Sequence, residues 1–337
     1  MFDGVRSEPA SLVPAMLRVL PFLSLLLLLP ALCAGSELKI LVVVGGGGTE
    51  EFGKVFEETA ALWTDAAGRG GAAIEVIGLD PADEGGPVDK ERLEAALAGE
   101  RSPELWLVFV GHGTFDQREV KFNLRGPDVT DREIASWLEA YPGRLAVVNT
   151  ASTSGSFVRA LSRPGRVVIT ATKNEGEQSY ARFGKFFAEA VSGAGEADLD
   201  NDRQVSLLEA FLHASGRVAD FYKGEGRIAT EHALIDDNGD GLGSRSEWYE
   251  GTTPIQTPAP EAKPDGDLAA QRVLVKNASE RLLTPEQRER RDRLERQVLE
   301  LRRAKASLGE ADYYAKLEAL LLELARLYDA VGQPGDS

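Results

Sequence analysis

Five short apolar runs, spaced by segments of helical character, constrain this chain more than any other feature of it. They are Leu38–Val44, Ile74–Leu79, Leu105–Val110, Leu145–Val148 and Val167–Ala171. A run that does not alternate between apolar and polar belongs to a strand buried on both faces, as in parallel sheets covered by helices. A helical stretch around Phe52–Ala66 separates the first two runs. Another, Asp131–Glu139, precedes the fourth, with Thr130 as its N-cap and Glu133 three residues on. Repeated strand–helix–strand units predict an α/β fold with a mostly parallel sheet and helices on both faces. Sheets of this kind bind ligands beyond the carboxyl ends of their strands.

Two motifs fall at those ends. Gly111-His112-Gly113 follows the third run, and Thr150-Ala151-Ser152-Thr153-Ser154-Gly155-Ser156 follows the fourth. Hydrolysis of a peptide bond by a nucleophile needs an activated attacking atom, a proton carrier and donors for the oxyanion. Ser152 and His112 could supply the first two, and the backbone N–H groups of Gly113 and Ser152 the third. The plainer alternatives are a hydrogen-bonded histidine in a tight turn and a serine that caps a helix.

The Thr150–Ser156 stretch resembles the nucleophile loop of the legumain and caspase-like peptidases, Ala-Cys-x-Ser-Gly-Ser, with Ser152 where that family has cysteine. The order of the two strand–motif pairs is similar as well, and the resemblance spans residues 38–250. It implies a caspase-like three-layer sandwich in which His112 is the base and residue 152 the nucleophile. A thiol titrates near ~8.5, so a neighbouring imidazole readily holds a thiolate. A hydroxyl is far less acidic and needs a base oriented by a third group. Asn149 and Thr150 lie nearby, but no carboxylate can be assigned to that part. The resemblance with this exchange therefore implies a catalytically impaired peptidase homologue that binds peptide or protein ligands. The alternatives are a hydrolase using Ser152 and His112, and an assembly protein acting through its tail.

Charge narrows the partners. A formal charge of -16 argues against nucleic acid, whose phosphates demand a basic face. Part of the acidity is concentrated in two loops. Asp198, Asp200, Asp202, Gln204, Ser206 and Glu209 follow the spacing of an EF-hand calcium loop, with Arg203 where glycine is expected. Asp236, Asn238, Asp240, Leu242, Ser244 and Glu247 repeat that spacing and keep the glycine as Gly241. Both loops are read as calcium sites, which millimolar extracellular calcium would fill even at low affinity.

Export is the expected setting. Leu17–Leu32 is almost wholly apolar, begins with Arg18 and ends in Ala31-Leu32-Cys33-Ala34-Gly35, so residues 1–35 read as a secretory signal, with Met16 a plausible start. Secretion or a periplasmic location follows, the alternative being an uncleaved membrane anchor. Because Pro21 and Pro30 break the run, no stable span is expected after cleavage. Cys33 is the only cysteine, so the mature chain would hold neither a disulfide nor a catalytic thiol.

The peptidase-like domain is expected over 36–250, a Pro-rich linker over 251–278 and a helical tail over 279–334. Gln178–Ala190 and Leu207–Tyr222 read as further helices of the domain. In the tail, Thr284-Pro285-Glu286-Gln287 is a capping box. Leu294, Val298 and Leu301 form one apolar stripe, and Tyr314, Leu317, Leu321, Leu324, Tyr328 and Val331 a second. A helical hairpin follows, read as a self-associating coiled coil, a docking pair for a partner, or, by the resemblance, a cap over the site. Gly45–Gly48 lacks the order of a dinucleotide loop and reads as a tight turn. Lys173–Gln178 reads as a solvated loop, and His213 and His232 as structural.

Overall fold

The computed structural model describes residues 36–80, 86–193 and 195–330. The proposed signal segment and Val331 lie outside them. The described strands are β1 (Leu38–Val44), β2 (Ala73–Ile77), β3 (Glu104–Val110), β4 (Gly113–Phe115), β5 (Val120–Phe122), β6 (Val129–Thr130), β7 (Arg144–Asn149), β8 (Arg166–Thr170), β9 (Leu234–Asp236), β10 (Tyr249–Glu250) and β11 (Thr253–Pro254). The helices are α1 (Glu50–Gly70), α2 (Asp89–Gly99), α3 (Asp131–Trp137), α4 (Ser156–Leu161), α5 (Phe183–Val191), α6 (Leu207–Gly224), α7 (Ala278–Leu282), α8 (Pro285–Arg303) and α9 (Glu310–Asp329).

Six strands form the main sheet in the order β2-β1-β3-β7-β8-β9. All five predicted runs are present and pair in parallel; β9, which no apolar run announced, closes the edge antiparallel to β8. Alternate side chains of each strand enter two separate cores. Ile40, Val42, Trp106, Val108 and Val148 meet α1, α5 and α6 through Phe56, Trp63, Phe187 and Phe211. Leu41, Val43, Leu107, Phe109 and Val147 meet α2, α3 and α4 through Leu93, Ile134 and Phe157. The result is the predicted α/β sandwich of three layers.

Local signals hold where the cap chemistry is complete. Thr130 accepts from Glu133 N at the start of α3, and Thr284 does the same for Gln287 N at α8, which has proline in its first turn. Helix α5 begins at Phe183 and not at Gln178, because Glu231 accepts from the Phe183 N–H and holds its first turn.

Two sequence expectations need correction. The 251–278 segment is not a free linker: Asp265, Ala269, Arg272 and Leu274 are buried, and Leu207 N donates to Arg272 O. The hairpin of α8 and α9 is present, and Leu294, Val298 and Leu301 are buried as expected. The second stripe, however, is rotated. Tyr313 and Leu327 are buried, whereas Tyr314 and Leu321 remain 51% and 47% exposed. The Tyr313 ring, turned inward, receives the Lys305 ammonium at 5.2 Å.

Candidate functional site at the carboxyl edge of the sheet

His112 and Ser152 leave the ends of neighbouring strands β3 and β7, as the sequence predicts. They are nevertheless held apart chemically. The Ser152 hydroxyl donates to Gly113 O at 3.1 Å and accepts from Gly113 N at 3.2 Å. Ser152 is only 3% exposed. Among the described residues it makes no hydrogen bond to His112. The Gly113 N–H expected to face an oxyanion is thus engaged by the serine itself. A Cβ at Gly113 would lie 2.2 Å from Ser152 O, so the two strand ends touch at a place only glycine fits.

His112 is partly buried in an aromatic setting. Its ring centroid lies 4.8 Å from Phe52 and 5.1 Å from Phe56, edge to face, with Tyr180 at 6.0 Å. Burial pushes the imidazole below its usual pKa, and a hydrogen bond to the Gly47 backbone partly opposes the shift. The Gly45–Gly48 turn therefore holds the histidine; it is the tight turn the sequence indicated.

The serine-rich loop is tied on its other side. Thr153 has φ 57 and its buried Oγ1 has no partner. A β-branched residue in the left-handed region is strained, a condition found mostly at functional loops. Thr153 N donates to Glu177 O, while Ser154 Oγ and Gly155 N meet Thr172 Oγ1. Glu177 also binds His232 Nδ1 at 2.5 Å and Lys173 Nζ at 3.3 Å. The Lys173–Gln178 loop is hence no loose solvated segment but a brace on the candidate nucleophile loop. Its glutamate was visible in sequence, but its partner histidine lies too far along the chain for spacing to pair them.

The first acidic loop takes the conformation its spacing predicts. Asp198, Asp200 and Asp202 bring carboxylate oxygens within 4.8 Å of one another. Asp202 N and Arg203 N turn back onto Asp198, and Arg203 adopts φ 69 where glycine was expected. Ser206 caps α6, with Glu209 completing the box from the third helical position. Both Glu209 oxygens accept loop amides, from Leu199 and Ser206 among others. Gln204 instead uses its side-chain oxygen on Asn277 N. Burial and then the charges of Glu209, Asp202 and Asp198 push Asp200 up to about 6, the response of carboxylates crowded without a counter-ion.

The second loop is assembled less completely. Gly241 N donates to Asp236, Asp240 N to Asn238 and Leu242 N to Asp240. Ser244 donates to Asp265, and Glu247 is exposed and faces Arg245 at 3.7 Å. The buried carboxylate that braces this loop is Asp265, from the supposed linker. It accepts from Asp237 N and Asn238 N, while Asp237 accepts from Gly266, Leu268 and Ala269. Burial raises both, Asp237 to about 6 and Asp265 to about 7. Among the described residues, no helix is long and apolar enough to cross a membrane.

No family model matches the chain, and no curated protein matches it. Solved structures similar to it include the following three. The initiator caspase Dronc of Drosophila shares 11% identity over 60% of this chain and 79% of that one, with a TM-score of 0.38. Caspase-1 of Spodoptera frugiperda shares 9% over 60% and 89%, with a TM-score of 0.40. A protein of Geobacter sulfurreducens shares 12% over 59% and 92%, with a TM-score of 0.37.

Proposed function

We propose that the chain is a secreted or periplasmic peptidase homologue that binds peptide or protein ligands at the carboxyl edge of its sheet without cutting them. The observation that carries this reading is the engagement of the Ser152 hydroxyl by Gly113 at both ends of its hydrogen-bonding capacity. A serine nucleophile must hand its proton to a base, and the only histidine at that edge with a motif around it is held by aromatic rings and Gly47. The strained, braced loop at Thr153 supports a binding role, because strain of ~1–3 kcal/mol persists only where the surroundings enforce it.

Calcium belongs to this reading as a structural ion. Asp198, Asp200, Asp202 and Glu209 would hold it, supplying hard oxygen ligands that neutralise the crowded carboxylates. The test is a peptide library offered to the wild type, Ser152→Ala and Ser152→Cys. Binding without cleavage by the first two supports the proposal, and cleavage gained by Ser152→Cys shows the groove to be otherwise intact. Cleavage by the wild type that Ser152→Ala abolishes would overturn it in favour of the serine hydrolase.

A further inference from the structure

A large recess lies at the opposite end of the strands from His112 and Ser152. A cavity of about 1460 Å³ separates the amino ends of β1, β3, β7 and β8 from α8 and α9. Ligand pockets are usually ~300–1,000 Å³, so the space would admit a multiply substituted molecule.

Its walls carry acidic and basic side chains in equal number, but they are unevenly paired. Glu37 holds Arg288, Glu104 holds Arg144 and Arg272, and Asp267 holds Arg303. The lining carboxylates of α7 and α8 are matched in the same way by Arg291 and Arg293. Asp200 and Asp202 belong to the first acidic loop, and Asp265 is saturated by hydrogen bonds. Among the described residues, four lining arginines have no carboxylate partner: Arg101, Arg163, Arg166 and Arg302. The first three precede or begin β3 and β8, which flank β7, so the sheet order gathers them on one rim. Arg302 faces the same space from α8.

Two further features favour an anion here. Arg166 is fixed in place by the carbonyls of Leu138 and Leu161, a guanidinium oriented without being neutralised. Arg272 also lines the cavity, is 7% exposed, and leaves its Nε without a partner. Guanidinium forks match phosphate and sulfate oxygens in charge and in bidentate geometry, whereas ammonium groups match them in charge alone. We infer that this cavity binds a compact polyanion carrying phosphate or sulfate groups, which bridges the strand starts and the tail hairpin.

The test is calorimetry on the full chain with inorganic tripolyphosphate in one arm and sucrose octasulfate in the other, at constant salt. One-to-one binding of either is expected, the better arm naming the acid group. The triple variant Arg101→Glu, Arg163→Glu, Arg302→Glu should weaken it at least about tenfold, since each exchange removes a charge-assisted contact. All three side chains are exposed, so the fold should survive, and the triple exchange Arg118→Glu, Arg132→Glu, Arg227→Glu, at exposed positions outside the cavity, controls for net charge. No binding of either probe at millimolar concentration overturns the inference. Equal affinities in the triple variant and the control overturn it as well.

Discussion

Thr153 and His112 show what single residues do at the carboxyl edge. Thr153 combines φ 57 with a buried hydroxyl that has no partner. Thr153→Gly removes both penalties, against some gain in unfolded-chain entropy, and should raise stability by about 1 kcal/mol in urea unfolding. The same change should loosen the serine loop and weaken ligand binding, which separates its structural cost from its use. For His112, burial among Phe52, Phe56 and Tyr180 sets the folded pKa below the unfolded value. The unfolded chain then takes up its proton first, so the contribution is present above the unfolded pKa and lost as pH falls through the folded one. Stability measured between pH 7.5 and 5 should fall on the acid side, and His112→Gln should flatten that part of the slope. An NMR titration of the imidazole checks the sign directly; a midpoint above the ordinary histidine value would refute it. The positions of His112 and Ser152 were legible in the sequence because each ends an apolar run. Their separate hydrogen-bond partners were not, since Gly47 meets His112 and Gly113 meets the Ser152 hydroxyl only through the fold.

At the scale of elements, what could be read was what is local. The parallel strands β1, β3, β7 and β8 follow from runs long enough to show burial on both faces, and α3 and α8 follow from their caps. The antiparallel edge strand β9 spans three residues, too short for any period to declare itself, and the small β4–β6 sheet has the same difficulty. In the first acidic loop the clustering of Asp198, Asp200 and Asp202 was legible from their spacing, whereas the turn of Gln204 towards Asn277 was not. Calcium at 2 mM, a free concentration typical of the extracellular range, should therefore raise the melting temperature, and a chelator should reverse the rise. Asp200→Ala should abolish the calcium-dependent part while relieving the repulsion felt in its absence, giving a calcium-free form at least as stable as that of the wild type. An unchanged calcium response in Asp200→Ala would remove the ion from the first loop. The second loop was misread in one respect. Spacing pointed to Glu247, but the buried carboxylate that closes the turn is Asp265, brought from outside the twelve residues.

On the scale of the whole molecule, the tail is the element that sequence could not place. The resemblance put it over the site, yet it docks at the amino ends of the strands, through Arg288 on Glu37, Arg303 on Asp267 and Gln271 on Asp292. These attachments join residues as far apart as 37 and 288, and no local pattern announces an ion pair across such a separation. Their chemistry also sets how firmly the hairpin is held. Partly exposed pairs of this kind contribute little each, ~0–1 kcal/mol at the surface, and are screened by salt, and a cavity separates much of the hairpin from the strand ends. The buried apolar residues of the hairpin, Leu294, Val298, Leu301, Tyr313 and Leu327, belong to neither of the two cores of the sheet. Raising ionic strength from 0.05 to 1 M shortens the Debye length to ~3 Å and should release the hairpin before the sheet unfolds. Limited proteolysis would then cut near Leu282–Thr284 at high salt, while peptide binding at the carboxyl edge stays unchanged. Truncation after Leu283 should likewise leave that binding intact, because the two sites occupy opposite ends of the same strands. A loss of peptide binding on truncation would return the tail to the cap position that the resemblance implied.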